Sequence, residues 1–386
     1  MSQTLMIVAG EHSGDVYGGE LARALRARAG AAVFGCGGDA MREGGAETVV
    51  DMREFAMVGL TEVVSGLPRA YRAFNRLMEE VDRRRPQLAV LIDSPSLNLR
   101  LAERLKQRHI PVVYFVSPQI WAWKKWRIKQ IKERVDKMLC IFDFEEEIYR
   151  RAGVPVEYVG HPLVDLVETN LTREEFFARG GLDPSVPTIA LLPGSREKVV
   201  RFNLPPMFEC AGRLALSRKI QFVVAVAPSL DHAWVESRLR EGRAGKAAIR
   251  PVTNATVEAL RYSDLAVVAS GTATVVAMLA ECPMIVVYRV SPISWMMGKF
   301  LVNVPFYSMV NLLAKKAMVP EMMQNDFNAA ALAARCEFLL DNTQAREAMV
   351  RELRALRPRL GPGGAIGRAA EAVLKMLQPA GVAAQA

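Results

Sequence analysis

Histidine and cysteine are scarce in this 386-residue chain: there are four His and five Cys, the latter at 36, 140, 210, 282 and 336 with no CxxC pair. Ligands so few and so scattered argue against a zinc cluster or a metal enzyme. An odd number of widely spaced cysteines argues against a disulfide framework and for a reducing, cytoplasmic compartment. No apolar run reaches the roughly 20 residues of a bilayer span; the longest uncharged stretch beside a strand pattern, 265–280, is interrupted by Ser270, Gly271, Thr272 and Thr274. A basic lead followed by an apolar stretch is missing at the N-terminus, so no signal peptide is expected. Also missing are GxGxxG, Walker A and HExxH motifs, an ordered Ser-His-Asp set and a Cys-His pair. Their absence removes support for the commonest nucleotide fingerprints, for metalloproteases and for acyl-enzyme hydrolases.

What the chain does have is apolar content and positive charge. Hydrophobic residues make up 51% of it, enough to fill the cores of two or three domains, which excludes disorder. Fifty Lys and Arg against 41 Asp and Glu leave a formal net charge of +9, which suits nucleic acid or an anionic membrane.

Short β-branched runs alternate with helical periodicity throughout, the pattern of parallel sheets covered by helices on both faces. Strands are expected near 4–9, 31–35, 88–92, 111–116, 138–142 and 156–159. A second series is expected near 188–192, 220–226, 247–250, 265–269 and 284–288. Between the series lies one helix opened by a capping box, Thr172 with Glu175, followed by the breakers Gly180, Gly181 and Pro184. The expected fold is α/β with two doubly wound, Rossmann-like domains, 1–168 and 169–357. A charged helix near 344–357, a Gly-Pro-Gly-Gly loop at 361–364 and a last helix follow. Two such domains leave a cleft at the carboxyl ends of their sheets, where open α/β sheets bind ligands.

Several strands end in Gly-rich loops that open helices and can offer N–H groups and a helix dipole to phosphate. The first contains Gly10, Ser13, Gly14 and Asp15; the second runs Gly35-Cys36-Gly37-Gly38-Asp39. Taken alone, each is more often a plain tight turn than a ligand loop. Sharper is Pro193-Gly194-Ser195-Arg196, where an arginine beside a Gly-Ser turn supplies a fork of donors for a diphosphate. A further loop, Ser270-Gly271-Thr272-Ala273-Thr274, exposes hydroxyls at another helix start, so the second half is expected to hold a nucleotide diphosphate. Asp93 ends a buried strand and is either a general base toward a sugar hydroxyl or a cap for the following turn. His12 stands beside the first loop as a competing base.

Two stretches combine cations with apolar residues. Trp121, Trp123 and Trp126 interleave with Lys124, Lys125, Arg127, Lys129, Lys132, Arg134 and Lys137. This reads as a nucleic-acid patch or as a packed helix with a basic face, and the helical spacing of Ile128, Ile131, Val135 and Met138 favours the helix. Leu60, Val63, Val64, Leu67, Tyr71, Phe74 and Met78 form a stripe flanked by Arg69, Arg72 and Arg76, which suits either a core-facing helix or an anionic membrane surface. The apolar stretch 295–313 can line an acyl chain or a core.

In order along the chain stand AGEHSGD (9–15), VGLTEVV (58–64), IDSPSLNLRLA (92–102), VSPQIWAWKKWRIKQI (116–131), YVGHPLVD (158–165), LLPGSRE (191–197), ASGTAT (269–274), PMIVVYRVSP (283–292) and VNLLA (310–314). With these segments the sequence closely resembles the lipid-A-disaccharide synthase family. The resemblance implies a GT-B glycosyltransferase whose first domain faces acceptor and membrane and whose second holds the UDP-sugar. A terminal helix at about 358–380 would cross back to the first domain. It implies transfer of 2,3-diacylglucosamine from UDP to the 6-hydroxyl of 2,3-diacylglucosamine 1-phosphate (lipid X), with inversion, without metal or cofactor, at the cytoplasmic face of the inner membrane. No nucleic-acid partner is implied, and a homodimer is left open. By position Asp93 matches the general base, Arg196 the essential arginine, and Asn311 and Gln324 residues near the nucleotide. Departures from the family are Val199 and Val276, where glutamates are usual, together with Asp39-Ala40, Ser96 and His12. Other readings of the same chain are a GT-B transferase or epimerase acting on soluble UDP-N-acetylglucosamine, and a divergent paralogue that only binds lipid or nucleotide.

Overall fold

The computed structural model describes residues 3–55, 60–121, 126–242, 244–292, 295–296 and 304–377, with side chains for all of these except 60–66 and 232. Two compact units emerge: Met1–Asp165 with Leu360–Ala386, and Leu166–Arg359.

The first unit is built on β1 (Thr4–Ala9), β2 (Ala32–Gly37), β3 (Glu47–Asp51), β4 (Leu88–Ile92), β5 (Val112–Phe115), β6 (Lys137–Cys140) and β7 (Val156–Tyr158). All neighbours are parallel, in the order β3-β2-β1-β4-β5-β6-β7. Strands β4 and β5 are buried along their whole length, and β1 from Leu5 onward. A parallel sheet covered on both faces requires such unbroken apolar runs. Helices α1 (His12–Ala29), α2 (Asp39–Glu43), α3 (Leu60–Arg84), α4 (Pro95–Lys106), α5 (Arg127–Arg134) and α6 (Asp143–Arg151) connect the strands. Helix α1 stops where Gly30 turns left-handed (φ 59°) and returns its N–H to the Arg26 carbonyl, a termination glycine allows at no steric cost.

In the second unit β8 (Thr188–Leu192), β9 (Gln221–Val226), β10 (Ala248–Thr253), β11 (Leu265–Ala269), β12 (Met284–Tyr288) and β13 (Glu321–Met323) lie in the order β10-β9-β8-β11-β12-β13, again all parallel. Among its helices are Arg173–Gly180, opened by the expected Thr172–Glu175 capping box, and Glu197–Ser217, Thr272–Leu279, Met309–Ala314, Ala329–Asp341 and Thr343–Leu356.

The chain re-enters the first unit at Leu360. The Asp165 carboxylate accepts from the N–H groups of Gly364 (2.7 Å) and Ala365 (3.2 Å), capping the terminal helix Ala365–Leu377. His161 N–H donates to the Leu360 carbonyl at 2.8 Å, and the Arg368 guanidinium donates to the Val159 carbonyl. The terminal helix packs on α1, with Arg28 donating to the Gly367 carbonyl at 3.0 Å.

Four expectations change. Strands β3 and β13 were not anticipated, because short edge strands with polar residues lack an apolar run. β2 continues through Gly35 to Gly37 instead of ending in a loop; Gly35 (φ 155°) passes so close to β1 that a Cβ would sit 1.8 Å from the Ile7 carbonyl oxygen. Helix α5 ends at Arg134, where Val135 turns extended, and Met138 belongs to β6, although Ile131, Val135 and Met138 are all buried. The 60–78 stripe divides: Met78 is in the core and Phe74 packs against it, while Leu67 and Tyr71 are 50% and 67% exposed. Side chains of Leu60, Val63 and Val64 lie outside the description, as do Trp123, Lys124, Lys125 and residues 297–303 of the 295–313 stretch. Trp126 is exposed, and no described helix is long and apolar enough to cross a membrane.

Candidate active site

In each sheet the first strand lies inside, and the chain winds outward on one side before crossing to the fourth strand on the other. This creates a switch point between β1 and β4 and another between β8 and β11, where loops diverge and leave room for ligand. Most of the sequence-predicted residues stand on loops at these two places, while Asn311 and Gln324 lie beside the edge strand β13.

At the first switch point Gly10 follows β1, and the half-buried Ser13 and buried Gly14 stand in the first turn of α1. A Cβ on Gly10 would lie 2.5 Å from Ser94 Oγ, so the two loops touch only because glycine is there. Asp15 is 2% exposed, and its carboxylate accepts from Gly38 N–H (2.6 Å), Ala40 N–H (3.1 Å) and Met41 N–H (3.2 Å). Gly38 N–H is a donor the 35–39 loop would have offered a phosphate, and the other two belong to the first turn of α2, so Asp15 fastens α1 to α2 here. Asp93 follows β4 with φ 48° and Ser94 with φ 43°, two successive left-handed residues that are not glycine. Its N–H donates to the Phe115 carbonyl (3.0 Å), and its carbonyl accepts from Asn98 Nδ2 (2.8 Å) and from the Tyr114 hydroxyl.

Charge and burial shape this end of the sheet. Burial, aided by the Asp93 charge, pushes the phenols of Tyr17 and Tyr114 well up, so both stay protonated. Burial lowers the pKa of His12, against the opposing pull of Asp15. His161, packed edge-on to Tyr17 and Phe142, is driven down to about 3 by burial and is neutral. Glu145 is 1% exposed and raised to about 7 by burial, although Ser117 Oγ (2.6 Å), Trp121 Nε1 (3.3 Å) and Phe142 N–H (3.3 Å) donate to it.

At the second switch point Pro193-Gly194-Ser195-Arg196 opens the helix Glu197–Ser217 beside β8, and Ser270-Gly271 opens Thr272–Leu279 beside β11. First-turn N–H groups of both helices therefore face the carboxyl end of the sheet. Ser195 and Arg196 are exposed, as are Gly271 and Thr272, with Ala273 half-buried. Gly194 (φ 131°) would place a Cβ 2.8 Å from Val199 Cγ1. Ser270 Oγ donates to the Tyr307 carbonyl at 2.7 Å. Asn311 is wholly buried; its amide donates to the Val319 carbonyl and the Glu321 carboxylate and accepts from the N–H groups of Met318 and Val319. Gln324 exchanges two bonds with the Val290 backbone. Both are thus braces for the loops around β13.

Pattern reading missed the residues that hold these loops. Asn203, buried in the helix after Arg196, donates to the Pro193 carbonyl (2.9 Å) and accepts from Arg289 N–H (2.9 Å), while Arg289 donates to the Gln324 and Phe327 carbonyls. Glu321 accepts from Ser308 and from Tyr307 N–H. A polar residue on an otherwise apolar helix face was the available signal for Asn203. Among the described residues, no group of three or more His, Cys, Asp or Glu side chains is arranged to hold a metal ion.

The family model described as lipid-A-disaccharide synthetase matches residues 5–360. The chain belongs to that family. It is 44% identical to the lipid-A-disaccharide synthase of Myxococcus xanthus over 379 residues, covering 97% of this chain and 98% of the relative. With the lipid-A-disaccharide synthase of Solibacter usitatus it shares 40% over 376 residues, 97% of each. Its activity is that of a lipid-A-disaccharide synthase, a glycosyltransferase of lipid A biosynthesis. Solved structures show the same GT-B-like architecture at low identity. The UDP-GlcNAc 2-epimerase of Neisseria meningitidis bound to UDP-GlcNAc superposes with TM-score 0.66 at 11% identity (97% of this chain, 100% of the other). MurG of Acinetobacter baumannii gives 0.54 at 14% (97% and 100%). These likenesses carry the fold alone, so they give the soluble-substrate reading no support over the synthase family. Substrates implied by the family are UDP-diacylglucosamine and lipid X.

Proposed function

We propose that Asp93 is the general base and Arg196 the diphosphate-stabilising residue of this synthase, with the first unit taking the acceptor and the second the UDP-sugar. The supporting observation is that each stands on the loop at the switch point of its own sheet, where an open parallel sheet receives ligands. In the proposed reaction Asp93 removes the proton from the acceptor 6-hydroxyl as that oxygen attacks C1 of the donor glucosamine. The C1–O bond to the diphosphate breaks with its electron pair leaving on UDP, so the anomeric centre inverts to a β-1,6 link. No metal is required. The guanidinium of Arg196 and the helix starts at Glu197 and Thr272 meet the growing charge of the leaving group. Gly10, Ser13 and Gly14 border the acceptor end; Gly194, Ser195, Ser270, Gly271, Thr272 and Ala273 cradle the diphosphate; Asn311 and Gln324 brace that cradle.

Purified protein should form disaccharide 1-phosphate and UDP from UDP-diacylglucosamine and lipid X, equally with and without chelator. Asp93→Ala and Arg196→Ala should each lower kcat by about 10² or more, and Arg196→Ala should also weaken UDP binding. Wild-type turnover in either variant would remove that residue's role; a chelator-sensitive rate would remove the metal-free mechanism. The reading also includes attachment to the cytoplasmic face of the inner membrane through α3, where Leu67 and Tyr71 are exposed beside Arg69 and Arg72.

A further inference from the structure

We infer that Asn98 and Tyr114 are positioning residues that hold the Asp93 carboxylate in its working orientation; this rests on Asp93 acting as the base. The left-handed backbone of Asp93 and Ser94 is uphill for residues with a Cβ and persists only where the surroundings over-determine it. Here they do. Asn98, in the second turn of α4, sends its Nδ2 to two successive carbonyls, Ile92 at 2.9 Å and Asp93 at 2.8 Å. Tyr114, on the neighbouring strand β5, donates its hydroxyl to the same Asp93 carbonyl. The Ser94 carbonyl accepts from Leu97 and Asn98 N–H, both at 3.0 Å, and the Phe115 carbonyl takes Asp93 N–H.

Two elements therefore grip one peptide plane from different directions. Fixing that plane fixes ψ of Asp93, and with it the direction in which the carboxylate leaves the backbone. Asn98 and Tyr114 are both fully buried. The Asn98 Nδ2 and the Tyr114 hydroxyl are bonded, yet Asn98 Oδ1 is buried without a hydrogen-bond partner among the described residues, a cost that packing alone would avoid with an apolar residue. Burial and the Asp93 charge keep the Tyr114 phenol protonated, so it remains a donor across the working range. Through Gly10, whose missing Cβ leaves room for Ser94, the same turn is fitted to the loop after β1.

The test is a mutant cycle on the purified enzyme with UDP-diacylglucosamine and lipid X: Tyr114→Phe, Asn98→Ala, Asp93→Asn, and each of the first two combined with Asp93→Asn. Tyr114→Phe keeps the ring's packing and should lower kcat about five- to tenfold with donor KM within about twofold. Asn98→Ala should lower kcat about 50-fold, since small misplacement of a reacting group is expensive in rate. In the Asp93→Asn background, where no base remains to be aimed, neither change should remove further rate. Multiplicative losses in the double variants, or unchanged kcat in Tyr114→Phe while Asp93→Asn is crippled, would overturn the positioning role and leave the base assignment standing. Wild-type turnover in Asp93→Asn would instead fell the base assignment itself and the inference with it.

Discussion

Glu145 and His161 are buried titratable groups whose pH effects run in opposite directions. Folding raises the Glu145 carboxyl from near 4.5 to about 7, so the fold binds that proton more tightly than the unfolded chain. Its contribution is full below pH 4.5 and is lost as pH rises through about 7. Folding lowers His161 from near 6.5 to about 3, so its contribution is full above 6.5 and is lost as pH falls toward 3. Between pH 4.5 and 6.5 the two slopes oppose each other, and the groups are joined through Phe142, whose ring packs on His161 and whose N–H bonds Glu145. Glu145→Gln should uncover the His161 slope, making stability rise from pH 4.5 to 6.5 more steeply than in the wild type. At pH 8 the gap between variant and wild type should have widened by on the order of 3 kcal/mol. Urea unfolding at pH 4.5, 6.5 and 8 measures this, and parallel curves for the two proteins would show that Glu145 does not hold its proton as argued.

At the scale of elements, the contact between the loops after β1 and β4 tightly constrains the first unit's ligand end. Gly10→Ala drives a methyl into Ser94 (2.5 Å from Oγ, 2.8 Å from Cβ) and must displace the Asp93 turn. We expect kcat to fall about tenfold or more with UDP affinity, measured by calorimetry, unchanged, because the loops proposed to hold UDP belong to the other unit. A weaker grip on UDP would contradict the division of labour between units. The central strands were legible in the sequence because burial on both faces demands continuous apolar runs, as in Leu88–Ile92 and Leu265–Ala269. Edge strands β3 and β13 were not, because Glu47, Asp51 and Glu321 break their pattern. Glycines marked the loops after β1, β8 and β11, but Gly35 and Gly37 lie within β2, and no glycine reported what its polar neighbours bond. Asp15, Asn311 and Gln324 bind backbone nearby, and the bond from Arg289 to Asn203 spans 86 residues, a distance no local pattern reports.

For the molecule as a whole, the proposed membrane attachment would draw on the excess of nine positive charges together with the exposed Leu67 and Tyr71 of α3. Binding to vesicles containing phosphatidylglycerol should be strong at about 0.05 M salt and fall steeply by about 0.5 M as screening shortens the reach of the charges. Leu67→Ser with Tyr71→Ser should abolish whatever binding survives high salt. Binding that ignores both salt and these substitutions would place the contact elsewhere. The Asp165 cap and the packing of the terminal helix on α1 also bear on the order in which the protein can fold. Chain synthesis delivers β1 to β7 first, yet the residues that cover α1 arrive last. The half of the protein that leaves the ribosome first is therefore the half that finishes folding last, and it waits with α1 uncovered while the second unit, contiguous in sequence, is already able to close.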